Sequence, residues 1–407
     1  MPKGQGSSKP ALAAGNEHRP NRARHWWAIA SVIFISAMLR PAVSGVGPLL
    51  GEISHSLKLA PAQTSLLASL PVLCFGLGAF LGPYISGKLG LARAFTWMLV
   101  LLTIGIAIRP WFGYNALLTI SVLVTLGIAV SNVLFPAMIR VEFPGKVARM
   151  TAVYTTLLAV FAAAAAVFAV PLDSALNGWR GSLAAWALPG VLAVVTWLMT
   201  AKQVEQAHPS LNQVAAGGDR HVWLHPVTWS LVGFFGLQSM NFYCMLNWLP
   251  SILETKGFTQ AEAGNLLGLV TIVGVPAGLL ITANLAKFKS LPVVAVLISL
   301  VTAAGVFLMF GGAAVTVIGG LIAGLGLACS FPLSLALIAL KAHDQKQTTL
   351  LSAVSQGFGY LIAALGTFAM GYSFSLTGGW GVGLAIVGGA GLIQAAIGWY
   401  AAGKHTL

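Results

Sequence analysis

The sequence predicts an all-α membrane protein of about twelve transmembrane helices in two pseudo-symmetric six-helix bundles. Three observations carry that expectation. Only 8% of the residues are charged and 57% are hydrophobic, whereas a soluble domain carries about 25% charged residues. Uncharged runs recur that meet the roughly 20 residues a helix needs to cross the bilayer core. A polar stretch near the middle of the chain divides these runs into two sets whose motifs echo one another.

Residues 1–25 are polar and basic and lack the apolar core of a signal peptide, so they read as a disordered cytoplasmic tail. The first hydrophobic segment follows and is retained. Further uncharged runs are Pro61 to Gly87, Pro110 to Ile139, Met150 to Leu172, Gly181 to Ala201 and Pro226 to Leu253. Two longer runs, Ser290 to Leu340 and Gln347 to Gly403, each hold a helix pair, with Gly-rich breaks at Gly311-Gly312 and Thr377-Gly378-Gly379. The longest polar connection, "KQVEQAHPSLNQVAAGGDRHVW" at 202–223, reads as a linker. It places one bundle at 26–201 and the other at 224–401, with a short tail at 402–407.

The halves look related. "GPLLGEI" at 47–53 has an echo in "LPSILET" at 249–255, each with a Pro and then a Glu four residues on. "GIAVSNVLFP" at 127–136 resembles "GLGLACSFP" at 324–332, and the GxxxG spacing recurs at Gly78/Gly82 and Gly274/Gly278. Small residues at that spacing let helices approach closely in lipid.

The net charge of +13 does not point to nucleic acid. With Met1 inside, the inner side receives most of the Lys and Arg, and the outer side only Lys58, Arg109, Arg180 and Lys256. This positive-inside asymmetry puts both termini in the cytoplasm and makes the partner a lipid bilayer. The three cysteines fall inside spans as packing residues, and neither a disulfide framework nor metal spacing is present. The eight histidines lie outside the depths of the spans, and there is no P-loop. An enzyme is therefore not expected, nor is a cofactor. A channel or sensor would require a symmetric oligomer or an added soluble domain; a monomer is expected instead.

One residue breaks the apolar pattern at depth. Arg40 lies 13 residues past Trp27 and 12 before Glu52, near the middle of the first span. A charge there costs about 2.5–3.5 kcal/mol on insertion scales. The nine acids all fall in tails, loops or span ends, so no carboxylate is expected at the same depth. The remaining partners are backbone carbonyls, amides, aromatic faces, water or a bound anion. Pro41 frees the Ala37 carbonyl from its helical donor. Two readings follow: a structural arginine tied to carbonyls, or an arginine facing a solvated cavity, where its fork suits a small planar anion. The second is preferred.

Helical spacing then gathers candidates for a site. Ser36, Arg40 and Ser44 share a face, as do Gln238, Asn241, Met245 and Trp248, and Ser352, Gln356 and Tyr360. Asn132 shares a face with Thr125, and Ser330 with Ser334. Tyr243 and Asn247 point away from the seventh-span stripe and rank lower. The expected substrate-binding set is Arg40, Ser44, Asn132, Gln238, Asn241, Trp248, Gln356 and Tyr360. Glu52 and Glu254, at matched positions, read as helix-end or gate residues, with proton acceptance at the mouth as the alternative.

Several segments also carry a family resemblance. "LRP" followed by "GVGPLL" opens the series, then "LPVLCFGLGAFLGP" at 70–83, "AWALPG" at 185–190, "NWLPSIL" at 247–253, "GLGLACSFPLSL" at 324–335 and "SQGFGYLIAALG" at 355–366. In that order they resemble the cyanate and 2-nitroimidazole transporter family, a bacterial branch of the major facilitator superfamily. The loop "GPYISGKLGLARAF" at 82–95 resembles the cytoplasmic signature of that superfamily without its usual Asp. The resemblance implies alternating access in a bacterial cytoplasmic membrane, a small polar or anionic substrate, and a cavity lined by the first, fourth, seventh and tenth spans. Arg40 and Gln356 match shared motifs; the seventh-span amides do not. The expected function is secondary transport of a small monovalent anion or weak acid: cyanate-like, nitrate- or nitrite-like, or a small carboxylate. The alternative is export of uncharged or aromatic compounds such as nitroimidazoles, with Trp248, Phe242, Phe235 and Met245 lining an apolar cavity.

Overall fold

In the computed structural model, residues 22–143, 146–207, 220–342 and 345–404 are described, and they are helical almost throughout. Eleven helices among them are long and apolar enough to cross a membrane. A further helix, Pro226–Thr255, has 30 residues and carries Gln238, Asn241 and Asn247 within its length. Counted in chain order it is the seventh span, and the total is the twelve expected. The first helix begins at Arg22, inside the expected tail. The sixth span ends at Ala207 and a short helix covers Arg220–Leu224, so the middle of the expected linker, 208–219, lies outside the described residues.

Each half folds on the same plan, and the glycines show it. In the second span, a Cβ added at Gly78 would meet Ala129 of the fourth span at 2.1 Å, and one at Gly82 would meet Val133 at 3.0 Å. In the eighth span, added Cβ atoms at Gly274 and Gly278 would meet Ala328 of the tenth span at 2.5 and 2.6 Å. The two GxxxG spacings thus seat equivalent helix pairs, which backbone approach without side chains permits.

With twelve crossings, the first span begins and the twelfth ends on the same side of the bundle, here the termini face. Toward the opposite face the halves press together. Gly47 of the first span lies where a Cβ would be 2.6 Å from the Leu246 carbonyl of the seventh. Gly264 and Gly268 of the eighth lie against Ala166 and Val167 of the fifth. The Gln260 amide donates to the Pro48 carbonyl at 2.8 Å. A third seam joins the second and eleventh spans: a Cβ at Gly76 would meet the Gly357 carbonyl at 2.8 Å, and Phe80 packs edge-on to Phe358 at 6.3 Å.

The first span is not one helix. It runs Arg22–Leu39, breaks at Arg40, makes one turn over Pro41–Ser44, passes through a 3₁₀ turn at Gly47–Leu49, and resumes at Leu50–Ser56. Pro41 cannot donate to the preceding turn. The Val46 amide turns back to Val43 at 3.2 Å instead of reaching Ala42, which tightens the chain into 3₁₀ geometry.

Candidate functional site

Arg40 stands at the break in the first span, half-buried. Its guanidinium lies among three phenols, each from another span: Tyr243 of the seventh, Tyr360 of the eleventh and Tyr154 of the fifth. Tyr243 is close enough to hydrogen-bond it. No carboxylate figures among its charged or polar neighbours. The Tyr243 oxygen accepts from the cation, and the other two phenols lie near it. Neutral oxygens offset less charge than a carboxylate would, so the cation stays available to an anion.

The phenols belong to a wider aromatic cluster. Phe75 of the second span lies 5.9 Å from Tyr243 and 5.7 Å from Tyr360, ring centre to ring centre. Tyr243 and Tyr360 are 6.2 Å apart, and Phe235 meets Tyr360 edge-on at 5.1 Å. Tyr154 stacks close to Phe135 at 4.1 Å, and its hydroxyl donates to the Asn132 side-chain oxygen at 3.0 Å. Tyr154 thus lies between Arg40, which it neighbours, and Asn132, to which it is bonded.

The other expected residues divide. Tyr360 is at the cluster, and Gln356 lies one turn from it with its amide donating to Ser352 at 2.6 Å. The Ser44 hydroxyl donates to the Arg40 backbone carbonyl at 3.0 Å, across the short turn that follows the break. Gln238 is buried and donates to Ser239 at 2.6 Å. Asn241 is 0% exposed, and neither its amide nitrogen nor its oxygen has a partner. Leaving a buried polar group unmatched costs about 1–3 kcal/mol, so Asn241 is a group in want of a ligand. Trp248 packs within its own half: its indole donates to the Thr367 carbonyl at 3.0 Å, and its ring lies 5.5 Å from Trp380 and against Gly371. Met245 and Phe235 are buried in packing, and Phe242 lies edge-on to Tyr243 at 5.2 Å.

Glu52 and Glu254 are not in equivalent settings. The Glu52 carboxyl is in hydrogen-bond contact with Asp173 at the end of the fifth span and accepts from the Trp179 backbone. Glu254, in the last turn of the seventh span, receives a backbone bond to its carbonyl from Gly257 at 3.0 Å.

One expectation is corrected. Tyr243 does not point away from the site but onto Arg40. The stripe Gln238, Asn241, Met245 and Trp248 took one face of the seventh helix as the cavity face, whereas that helix stands in the seam and presents Tyr243 to the first span. Tyr154 and Phe75 went unrecognised for want of a charge or amide to mark them. A search for aromatics at the depth of Arg40 would have found all three.

A Major Facilitator Superfamily profile matches residues 29–367, and the chain belongs to that superfamily, a class of membrane transporters. Within it, the relatives place the chain in the cyanate and 2-nitroimidazole transporter branch. It is 34% identical to the 2-nitroimidazole transporter of Escherichia coli (strain K12), over 91% of this chain and 94% of that one. It is 32% identical to the uncharacterized transporter YycB of Bacillus subtilis (strain 168), over 93% and 94%. It is 27% identical to the cyanate transport protein CynX of Escherichia coli (strain K12), over 85% and 90%. Among solved structures, the D-xylose-proton symporter superposes with a TM-score of 0.75 at 16% identity, covering 94% of this chain and all of that one. A bacterial Spinster homologue, inward-facing and unoccupied, also scores 0.75 at 16% identity, over 94% and 98%. At that identity they bear on the fold alone.

Proposed function

We propose that this transporter carries a small planar solute bearing a negative charge or a strongly accepting oxygen, and that Arg40 is its anchor. The observation that carries the reading is the guanidinium at mid-depth, met by three phenols and no carboxylate. Arginine forks suit flat oxygen-bearing groups, and the flanking faces of Phe75, Tyr243 and Tyr360 suit a flat body. Asn241, on the same helix as Tyr243, carries a buried donor and acceptor without a partner. Cyanate-like ions, nitrate or nitrite, small carboxylates and weak acids meet these terms.

The charge distribution places both termini in the cytoplasm of a bacterium, so the seal at the opposite face closes the outside. Movement is then by alternating access, with the two bundles rocking about the site. Inward movement of a monoanion opposes an inside-negative potential by about 2.3 kcal/mol per 100 mV. Glu52, held against Asp173, and Glu254 act as outer gate residues. The proposed anchor and its phenol neighbours all come from one chain, and a monomer is the working unit in this reading.

A second reading is export of uncharged nitroheterocycles. It is favoured by the aromatic cluster around Arg40 rather than by Trp248, whose indole is bonded to the eleventh span. Uptake into proteoliposomes separates the two. With Arg40→Gln, carriage of cyanate or a small carboxylate falls by about 10- to 100-fold, the worth of a charge-assisted hydrogen bond of roughly 1.5–3 kcal/mol. Unchanged uptake of the anion would overturn the reading.

A further inference from the structure

A second arginine is buried against the first span. Arg109 follows the third span, in the 3₁₀ turn Arg109–Trp111, and is 3% exposed. The charge pattern had it as an ordinary loop cation at the outer surface. Its Nη2 donates to the Ala42 carbonyl at 2.7 Å, and its Nε has no partner. No described carboxylate faces it; burial alone shapes its surroundings. Removing a guanidinium from water with neither a counter-ion nor a full set of acceptors is costly. A lipid-compatible side chain would avoid that cost, so the bond it does make calls for a reason.

The acceptor supplies one. In an unbroken helix, the Ala42 carbonyl would take the Val46 amide. Here that amide is drawn to Val43 at 3.2 Å, which leaves Ala42 without a helical donor. Arg109 fills the vacancy. The capped carbonyl is two residues from Arg40, on the single turn Pro41–Ser44 that joins the two parts of the first span. Were it uncapped, the segment would be free to rewind or fray, and either change would swing Arg40 away from Tyr243 and Tyr360.

We propose that Arg109 is a positioning residue for Arg40: by holding the Ala42 carbonyl it keeps the first span broken and the Arg40 guanidinium at the phenol cluster. The proposal rests on Arg40 being the substrate anchor.

Hydrogen exchange on the purified full-length protein tests the positioning without a ligand. Arg109→Met is expected to speed exchange of the amides from 43 to 50 at least tenfold and to leave the other spans unchanged. Arg109→Lys, which keeps one donor for Ala42, is expected to stay within about threefold of wild type. Unchanged exchange in Arg109→Met overturns the proposal, as does an equal rise along the whole chain. If Arg109→Met does not give folded protein, Arg109→Gln serves in its place.

A double-mutant cycle with Arg40→Gln, read as the KM for cyanate and for 2-nitroimidazole in proteoliposomes, tests the link to Arg40. Arg109→Met should raise KM at least fivefold in wild type and less than twofold in Arg40→Gln. Equal effects in both backgrounds overturn the coupling. If wild type carries neither probe, the anchor reading of Arg40 fails, while the exchange result still decides what Arg109 holds.

Discussion

Arg40 holds a charge at mid-depth with Tyr243 as its hydrogen-bond partner and no described carboxylate among its neighbours. Tyr243 donates or accepts according to its neighbour, and against a guanidinium it accepts. Tyr243→Phe removes one such bond and keeps the ring, so KM for an anionic substrate should rise about 3- to 10-fold with folding intact. Asn241 allows a sharper separation. Its amide is buried and unmatched, so Asn241→Leu should raise thermal stability by about 1 kcal/mol while lowering transport. A variant that is more stable and equally active would remove Asn241 from the site. The charge at Arg40 is legible in the sequence, but its phenol partners are not, because a phenol in a membrane helix looks like any aromatic residue. The helical-face argument gathered Asn132, Gln356 and Tyr360 because amides and a phenol share stripes there. It misjudged Tyr243 because a helix in a seam serves two surfaces.

At the scale of the element, the first span is the decisive piece. Pro41, Gly45, Gly47 and Pro48 announce in sequence that the helix bends. They do not announce that the Ala42 carbonyl beside the break takes its donor from Arg109, which reaches it from another helix. Gly47 has a separate duty: its missing side chain admits the Leu246 carbonyl of the seventh span. A Cβ there would stand 2.6 Å from that oxygen, closer than any real contact, so Gly47→Val should keep the opposite-face seal from closing. The expected outcome is near-complete loss of transport with greater labelling of cysteines placed in the seal. Normal transport by Gly47→Val would show that the two spans need not meet there. The seventh span shows the same tension between composition and role. Gln238, Asn241 and Asn247 set it apart from the eleven more apolar spans, and it is the helix that touches Arg40.

For the whole molecule, twelve spans, two related halves and their order follow from apolar runs, Gly-rich breaks and repeated spacings. The GxxxG pairs seat the second span on the fourth and the eighth on the tenth, as a repeat requires. Which face of the bundle is sealed is not in the sequence, because one sequence must serve both states of an alternating-access cycle. The seal can be tested by tying it. At Gly268 a Cβ would lie 3.8 Å from the Val167 Cβ, the usual separation across a disulfide. Val167→Cys with Gly268→Cys should therefore form a cross-link between the halves that stops transport and releases it on reduction. Transport that continues through the cross-link would mean that these helices do not part during the cycle.

The central claim is that Arg40 holds the substrate, and ligand-induced stabilisation tests it most directly. Purified wild type and Arg40→Gln are melted with cyanate, nitrate, nitrite, small carboxylates and 2-nitroimidazole in turn. A ligand that binds the folded state at 100 times its Kd adds about 2.7 kcal/mol. At least one of these solutes should raise the Tm of wild type and leave that of Arg40→Gln unmoved. The account is contradicted if none stabilises wild type, or if every solute that does stabilises Arg40→Gln equally.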